Sequence, residues 1–302
     1  MTVAFIGLGQ MGWHMAGHLV AAGHDVVAHD VAADRADAWR DEQGGRVVAE
    51  RAAAVAAARI VITSLPADRE LREVAYGPTG VLEAMPSGAV WVDHTTASAT
   101  VARELAHAAD ERGLSFLDAP VSGGVDGARA GTLAVMVGGE RAAYERVEPV
   151  VAAYASRMTL MGGAGAGQLT KMTNQICVVG LCQALAEGLD FAEAAGLDTA
   201  RVVEVMLRGA SASWEMEHRS GAMLEGKYDF GFATELMRKD IGLCLHEARE
   251  LDVPLPVTAL VDQFLADVER LGGSRWDWCS LMERQRMLRT GAPPPKTSGS
   301  RR

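Results

Sequence analysis

The stretch Thr2–Gly12, Thr-Val-Ala-Phe-Ile-Gly-Leu-Gly-Gln-Met-Gly, decides the fold of this chain. It opens with a short run rich in β-branched residues, and a helical pattern of apolar residues follows its last glycine. A GxGxxG sequence between a strand and a helix permits a tight turn and lets a pyrophosphate approach the helix N-terminus. The stretch therefore predicts a dinucleotide-binding domain with a cofactor loop formed by Gly7, Leu8, Gly9, Gln10, Met11 and Gly12.

A second strand is predicted at Asp25–His29, and Asp30 follows it directly. An acidic residue about 20 positions after the glycines is expected to accept the ribose hydroxyls of a dinucleotide. Its negative charge would repel the 2′-phosphate of NADP, so Asp30 favours NAD as the cofactor. Arg35 lies close by in the sequence and keeps NADP open as a second choice.

Three more strands alternate with alanine-rich helical segments, and they are predicted at Arg59–Thr63, Val90–Val92 and Ser115–Leu117. This alternation is typical of a doubly wound α/β sheet, in which ligands bind beyond the carboxyl ends of the strands. One of the loops there holds His94, which is either a proton carrier or simply a cofactor-facing or solvated side chain. The loops should line one crevice, and their residues Leu65, Pro66, Thr95 and Thr96 are predicted to bind the cofactor.

The loop after the last of these strands contains Ser122-Gly123-Gly124. Consecutive backbone N–H groups in a glycine turn, with a hydroxyl alongside, form a concavity that suits a small carboxylate. An ordinary turn before a helix is the alternative. Further strands are predicted at Leu133–Val137, as an edge strand, and near Arg157–Leu160, and these complete the first domain.

A second glycine-rich stretch, Gly165–Gln175, begins the longest predicted helix, which continues to about Ala195. Such a helix spans roughly 40 Å, and because it is apolar on most faces we expect it to be buried. Burial would disfavour the charged ammonium of Lys171, which makes this residue a candidate acid and base. The alternative is a lysine that snorkels from the helix end. Helical spacing places three amides on the same face as Lys171, those of Gln168, Asn174 and Gln175.

After Ala195 the pattern is helical throughout, with clearer helices at Thr199–Arg208, Thr234–Leu251 and Leu255–Leu271. No comparable strand signal returns, so the second domain is predicted to be all-α. We therefore predict a Rossmann-type doubly wound domain at 1–162, joined by the long helix to an all-α domain at 163–290. Residues 291–302, which contain three consecutive prolines followed by Ser, Gly, Lys and Arg, predict a disordered tail.

Composition excludes several other classes of function. The net charge of −10 over 302 residues argues against nucleic acid or an anionic membrane as a partner. Four cysteines are scattered without a CxxC, so neither a disulfide framework nor a zinc site is indicated. His14 and His18 have the spacing of metal ligands, but no third ligand accompanies them, and no metal is expected. Polar residues interrupt the long apolar runs and no signal peptide is visible, which favours a cytoplasmic protein without a membrane span.

Several of these motifs occur in an order that resembles the β-hydroxyacid dehydrogenase family, which includes 3-hydroxyisobutyrate dehydrogenase and tartronate semialdehyde reductase. The resemblance covers nearly the whole chain except the tail. It implies an N-terminal Rossmann domain, an all-α C-terminal domain, and an interdomain helix that carries a catalytic lysine at Lys171. The matching pieces are Gly7–Gly12, Asp93 with Thr95-Thr96, Asp118–Gly124, Gly165–Lys171 with Asn174, and Lys239-Asp240.

The resemblance also implies roles for individual residues. Ser122, Gly123 and Gly124 would hold the substrate carboxylate, with Asn174 assisting. We interpret Asn174 and Gln175 as the residues that orient the substrate and the lysine. The nicotinamide end of the cofactor would meet Thr96 and Lys239, with Thr95 and Asp240 beside them. Many members of the family have paired asparagines where this chain has Asn174-Gln175, and Ser-Thr where it has Thr95-Thr96.

We therefore expect an NAD-dependent oxidoreductase that interconverts a small 3-hydroxy acid, of the 3-hydroxyisobutyrate type, and its semialdehyde by hydride transfer. Lys171 is the expected general acid and base. The alternatives are a reductase of tartronate or succinic semialdehyde and a non-catalytic NAD-binding module. An imine-reducing branch shares the fold, but its members generally lack a lysine at this position. Because the long helix is apolar on most faces, a homodimer or homotetramer is expected.

Overall fold

The structure is a computed structural model and describes residues 1–291. The chain divides into two compact units, of which the first runs from Met1 to Lys171 and the second begins at Met172. The domain limits that the sequence predicts, 1–162 and 163–290, stay predictions. Residues 292–302 of the predicted disordered tail lie outside the described residues.

A nine-stranded sheet forms the centre of the first unit. Its strands are β1 (Thr2–Ile6), β2 (Asp25–His29), β3 (Arg46–Val47), β4 (Ile60–Thr63), β5 (Val90–Asp93), β6 (Ser115–Asp118), β7 (Val121–Ser122), β8 (Leu133–Gly139) and β9 (Ala155–Gly162). The first six are parallel and adjacent in the order β3-β2-β1-β4-β5-β6, which is the order of a Rossmann dinucleotide-binding sheet. The predicted doubly wound sheet is confirmed.

Helices cover both faces of this sheet, so alternate side chains of each central strand enter different cores. In β1, Val3 and Phe5 pack into one core, whereas Ala4 and Ile6 pack into the other. The helices of the unit are α1 (Gln10–Ala21), α2 (Ala33–Gln43), α3 (Arg51–Val55), α4 (Asp68–Tyr76), α5 (Val81–Ala84), α6 (Ala99–Asp110), α7 (Gly124–Ala130) and α8 (Arg141–Val151).

Strand β8 does not lie at the edge of the sheet, contrary to the sequence prediction. It pairs antiparallel with β6 and with β7, and parallel with β9. From Leu133 to Val137 its residues alternate between buried and half-buried, and all residues of β9 are exposed or half-buried. The period-two pattern identified a strand, but it carried no information about a partner on the outer side.

Helix α9 (Ala166–Ala194) contains 29 residues and ends close to the predicted position. The expectation that this helix is buried holds for only part of its surface in the single chain. One side packs into the core of the second unit through Val179 and Leu189, but Leu181 is 46% exposed and Phe191 is 74% exposed. The exposed apolar side is compatible with the expected homodimer or homotetramer, which stays a prediction.

Helix α9 also has the length and composition of a membrane span, a feature that the polar residues in its sequence did not predict. Half of its most apolar segment is buried inside the protein, and the core helix of a soluble protein has the same length and composition. Its apolar composition is therefore weak evidence for a membrane.

The described part of the second unit continues with a short 3-10 helix (Trp278–Ser280) and five further α-helices, α10 (Thr199–Met206), α11 (Trp214–Glu225), α12 (Thr234–Glu250), α13 (Pro256–Arg270) and α14 (Leu281–Thr290). Between residues 172 and 291 the structure has helices and no strand, which confirms the predicted all-α architecture. Its core is formed where α9 packs with these helices, and it includes Tyr228, Ile241, Val261 and Trp278.

Candidate active site

The last residues of four neighbouring strands lie side by side at the carboxyl edge of the sheet. Ile6 lies opposite Thr63, Thr63 lies opposite Asp93, and Asp93 lies opposite Asp118. Ligands of open α/β sheets bind beyond this edge. The loops that follow these strands therefore begin next to one another at this edge. They contain the predicted cofactor residues and the predicted carboxylate-binding turn.

The glycine loop after β1 fits a dinucleotide pyrophosphate. Gly7 has φ +94°, and a Cβ there would lie 2.3 Å from the Ser64 carbonyl oxygen; a Cβ on Gly12 would lie 2.0 Å from the Gly7 carbonyl oxygen. A Cβ on Gly9 would meet no described atom within 4 Å. Among the described side chains none caps α1, and its first turn, which starts at Gln10 and Met11, has no acid. The first N–H groups of the helix thus suit an anion.

Asp30 is fixed to this loop. Its Oδ2 accepts a hydrogen bond of 2.7 Å from the N–H of Leu8, and its Oδ1 accepts one of 2.8 Å from the N–H of Ala32. Arg35 donates a hydrogen bond to the Leu8 carbonyl, and its guanidinium lies 5.1 Å from the centre of the Trp13 ring. The structure thus holds the carboxylate of Asp30 at the end of β2, beside the cofactor loop.

Thr95 is buried, and its hydroxyl is already used inside the first unit. It donates a hydrogen bond of 2.7 Å to Oδ1 of Asp93 and accepts one of 3.0 Å from the N–H of Leu65. We infer that Thr95 joins the loops after β4 and β5. A direct contact of Thr95 with the cofactor stays a prediction. The adjacent Thr96 is half-buried, as is Leu65, and Pro66 is exposed.

Two ionisable side chains at this edge have strongly shifted pKa values. Burial raises the pKa of Asp93 to about 7, against the effect of hydrogen bonds from Thr63 and Thr95. Burial lowers the pKa of His94 to about 4, and its ring nitrogens lie 2.6 Å from the Ala119 carbonyl oxygen and 2.7 Å from the Tyr154 hydroxyl. His94 is therefore neither solvated nor exposed to a cofactor, so the structure does not support a role in proton transfer.

Asp118 has no individual role among the predicted site residues and belongs only to the Asp118–Gly124 motif. Its Oδ1 accepts a hydrogen bond of 2.7 Å from the N–H of Gly165, and its Oδ2 accepts one of 2.9 Å from the N–H of Gln168. A carboxylate on β6 thus caps the start of α9. A long helix that begins in glycine and alanine, with no Ser, Thr, Asp or Asn of its own nearby, was the signal for a cap from elsewhere.

The side chain of Gln168 makes a second connection to the sheet. Its Nε2 donates a hydrogen bond of 2.8 Å to the Thr95 carbonyl, and its Oε1 accepts one of 3.0 Å from the N–H of Ala97. This amide was expected to share a face with Lys171, but both its donor and its acceptor bind the loop after β5. Lys171 follows one turn later and is 8% exposed.

The predicted carboxylate-binding turn follows β6. Ser122 is half-buried in β7 and pairs with Ala134 of β8. Gly123 and Gly124 have φ values of +126° and +62°, a conformation that side chains rarely adopt, so both positions favour glycine. Gly124 is exposed, and a Cβ there would meet no described atom within 4 Å.

Four predicted site residues belong to the second unit, and they form one connected set. Asn174 Nδ2 donates to Gln175 Oε1 at 2.9 Å, and Gln175 Nε2 donates to Asp240 Oδ2 at 2.7 Å. Asp240 Oδ1 lies 3.0 Å from Nζ of Lys239. Gln175 and Asp240 are buried, whereas Asn174 and Lys239 remain partly exposed. The Lys239–Asp240 pair is thus more than a solvated charge pair.

One member of the histidine pair with metal-like spacing, His18, is engaged elsewhere. His18 Nε2 lies 3.0 Å from the carbonyl oxygen of Ala128 on α7. In the part of the chain that the structure describes, no three metal-binding side chains cluster together.

Two family models match the chain in succession. Residues 2–163 match the NAD binding domain of 6-phosphogluconate dehydrogenase, and residues 165–284 match the NAD-binding domain of NADP-dependent 3-hydroxyisobutyrate dehydrogenase. Together they span both units from the first strand to α14. The cofactor is therefore NAD(P).

Individual relatives are similar over nearly the full length. The chain is 51% identical to an uncharacterized oxidoreductase of Shewanella frigidimarina, over 93% of this chain and 97% of the relative. It is 36% identical to the 2-hydroxy-3-oxopropionate reductase of Escherichia coli, over 94% of this chain and 96% of the relative. Among solved structures, a Mycobacterium tuberculosis 3-hydroxyisobutyrate dehydrogenase with L-serine superposes with a TM-score of 0.85 at 32% identity, over 94% of this chain and 99% of that chain. This chain belongs to the β-hydroxyacid dehydrogenase family and is an NAD(P)-dependent hydroxy acid dehydrogenase.

Proposed function

We propose that the enzyme interconverts a small 3-hydroxy acid and its semialdehyde, with Lys171 as the general acid and base. The observation that carries the proposal is the position of Lys171. Its amine belongs to a nearly buried side chain, and its helix begins against the carboxyl ends of β5 and β6, where a Rossmann sheet binds its ligands.

The proposed chemistry needs one proton carrier. Held at the loop of Gly7, Gly9 and Gly12, NAD(P) would supply the hydride acceptor for oxidation of the carbinol carbon and the hydride donor for reduction of the aldehyde carbon. In oxidation the neutral amine of Lys171 takes the hydroxyl proton as the C–H bond breaks, which leaves a carbonyl. In reduction the ammonium of Lys171 returns this proton to the carbonyl oxygen. The burial of the side chain keeps competing water away from that proton.

The substrate carboxylate would be held by Ser122, Gly123 and Gly124. The two positive-φ glycines form the kind of turn whose N–H groups converge on an anion, and the Ser122 hydroxyl adds another donor. From the second unit, Asn174 is the amide that remains partly exposed and would orient the substrate, because Gln175 is occupied by Asp240. Lys239 and Thr96 would contact the nicotinamide end of the cofactor.

Within the NAD(P) class, NAD is the proposed cofactor. Two backbone N–H groups hold the carboxylate of Asp30 at the end of β2, so its negative charge opposes a 2′-phosphate there. Arg35 is the cation that kept NADP open, and it is engaged by the Leu8 carbonyl and the Trp13 ring. The fixed charge of Asp30 and the engagement of Arg35 both support a preference for NAD.

The most suitable acid is proposed to be of the 3-hydroxyisobutyrate type. L-Serine, the molecule named with the M. tuberculosis structure, is itself a 3-hydroxy acid. The similarity to the E. coli 2-hydroxy-3-oxopropionate reductase favours a second candidate, in which the same chemistry runs mainly from a semialdehyde to its hydroxy acid.

The test is a substrate panel in both directions. NADH or NADPH formation is followed by absorbance with 3-hydroxyisobutyrate, 3-hydroxypropionate, glycerate, serine and 4-hydroxybutyrate, and cofactor consumption is followed with tartronate and succinic semialdehydes. We expect a 3-hydroxy acid to turn over best, with NAD. If only 4-hydroxybutyrate or only the semialdehydes turned over, an acid of the 3-hydroxyisobutyrate type would be ruled out as the substrate. Inactivity with every compound, under conditions in which NADH binds, would overturn the proposal.

A further inference from the structure

Asp118 and Gln168 connect the start of α9 to two different strands of the first unit. The carboxylate of Asp118, at the end of β6, accepts the N–H groups of Gly165 and Gln168. The side-chain amide of Gln168 binds the backbone of the loop after β5 at Thr95 and Ala97. Four hydrogen bonds, none longer than 3.0 Å, thus fix the first turn of α9.

The space around the Asp118 carboxylate is closely filled. A Cβ on Gly138 would lie 2.4 Å from Oδ1 of Asp118, and a Cβ on Gly167 would lie 2.8 Å from Oδ2. Gly165, just before the helix, has φ +90°. Three glycines thus allow the sheet and the helix to meet at this carboxylate, and the carboxylate is fully buried. A surface cap would need none of this fit.

We propose that Asp118, together with Gln168, is the positioning residue that sets the location of the Lys171 amine. The inference rests on the proposed role of Lys171. Lys171 lies one turn beyond Gln168, and a helix transmits a displacement of its first turn to the next turn because its hydrogen bonds are continuous. Proton transfer requires hydrogen-bond distance, so an error of about 1 Å in the lysine position can lower the rate by roughly 100-fold.

Asp118→Asn is the principal variant, because it keeps the shape and one acceptor oxygen but replaces the second acceptor with a donor. We expect kcat to fall by roughly 10- to 100-fold, with NADH affinity within about twofold of the wild type. Gln168→Leu removes the second connection without touching the carboxylate and should act in the same direction. Asp198→Asn is the matched control. Asp198 caps α10 through the N–H of Arg201, and α10 contains none of the predicted site residues.

Two further measurements separate positioning from general stability. Hydrogen exchange by mass spectrometry should show faster exchange of residues 164–171 in Asp118→Asn and unchanged exchange there in Asp198→Asn. In a Lys171→Ala background, Asp118→Asn should lower the residual kcat no further, because the residue acts through the lysine. If Asp118 had only a structural role, Asp118→Asn would lower kcat by the same factor in the wild type and in Lys171→Ala.

The outcomes also separate this inference from the proposed function. If Lys171→Ala retains full turnover, the role of Lys171 is refuted and the positioning inference is refuted with it. If Lys171→Ala is impaired but Asp118→Asn and Gln168→Leu have wild-type kcat, only the positioning inference is overturned. Unchanged exchange of residues 164–171 in Asp118→Asn, or equal factors in the two backgrounds, would overturn it as well.

Discussion

The side-chain amide of Gln175 donates a hydrogen bond of 2.7 Å to Asp240, a carboxylate that is 1% exposed. The other oxygen of Asp240 lies 3.0 Å from the ammonium of Lys239, and the oxygen of the Gln175 amide accepts a hydrogen bond from Asn174. The buried pair therefore orients two partly exposed side chains, one on α9 and one on α12. We expect Asn174 and Lys239 to touch substrate and cofactor, and Gln175 and Asp240 to hold them.

Shortening this amide tests its orienting role. Gln175→Asn is one methylene too short to reach Asp240 while still bonding Asn174, so kcat/KM for the acid should fall by roughly 10-fold. Gln183→Asn is the control, because Gln183 is a buried glutamine on the same helix whose amide bonds Glu187 at 2.8 Å. The kcat/KM values are measured by steady-state kinetics at a temperature at which both variants are folded. An equal loss of kcat/KM in the two variants would contradict the orienting role of Gln175.

Removal of the amine at Lys171 tests the chemistry itself. Lys171→Ala should lower kcat by about 10²- to 10⁴-fold, the usual contribution of one acid or base, while NADH titrated by fluorescence still binds. Lys227→Ala serves as a control, because Lys227 is an exposed lysine paired with Glu225. A Lys171→Ala enzyme with wild-type turnover would rule out the proposed base.

Ser122→Ala should weaken binding of the hydroxy acid much more than binding of the cofactor. A hydrogen bond to a charged carboxylate contributes about 1.5–3 kcal/mol, so KM for the acid should rise by roughly 10-fold or more and KM for NAD by less than about twofold. Ser156→Ala removes a hydroxyl that bonds the Thr132 carbonyl at 2.9 Å and should change neither constant. Parallel increases in both constants for Ser122→Ala would refute the carboxylate role.

Loss of the charge at Asp30 should relax the choice of cofactor. Asp30→Asn keeps one acceptor for the backbone but removes the repulsion of a 2′-phosphate, so kcat/KM with NADP should rise by roughly 10-fold relative to NAD. Asp34 lies in the first turn of α2 and is exposed, so Asp34→Asn should leave the ratio unchanged. The ratio is measured with one acid at fixed concentration. An unchanged ratio in Asp30→Asn would show that this charge does not select NAD.

The raised pKa of Asp93 predicts a pH-dependent stability. The folded state holds a proton up to about pH 7, whereas an unfolded Asp releases it near pH 4. The stabilising contribution of the protonated form is complete below the unfolded pKa and is lost as the pH rises through the folded pKa. Between these two pKa values, the contribution of Asp93 to the free energy of unfolding falls with a slope that approaches about −1.4 kcal/mol per pH unit.

Asp93→Asn is neutral at every pH and should lack this component. Its carbonyl oxygen can still accept the hydrogen bonds from Thr63 and Thr95. Urea unfolding of both proteins between pH 5 and pH 8 measures the effect. The difference in unfolding free energy between the wild type and the variant should shrink or reverse as the pH rises. A difference that is constant across this range would mean that Asp93 does not titrate there.

Some elements were accessible from short-range patterns. The strand, glycine loop and helix of Thr2–Ala21 and the end of α9 agree with the predictions, because periodicity and turn motifs involve residues only a few positions apart. The edge position assigned to β8 failed because pairing partners come from distant parts of the chain. The expectation that α9 is buried held for only part of the helix, because amino-acid composition does not show which of its faces pack against the rest of the chain.

The order of the glycines and the strands was sufficient for the Rossmann-type fold and the cofactor class, and the family resemblance of the ordered motifs implied the type of reaction. The contacts of Asp118 and Gln168 could not be found in that order. Asp118 meets N–H groups that lie 47 and 50 residues further along the chain, and Gln168 reaches back 71 and 73 residues. Such contacts exist only once β5, β6 and α9 have packed together, because hydrogen-bond distances are set by that packing and leave no local pattern in the sequence.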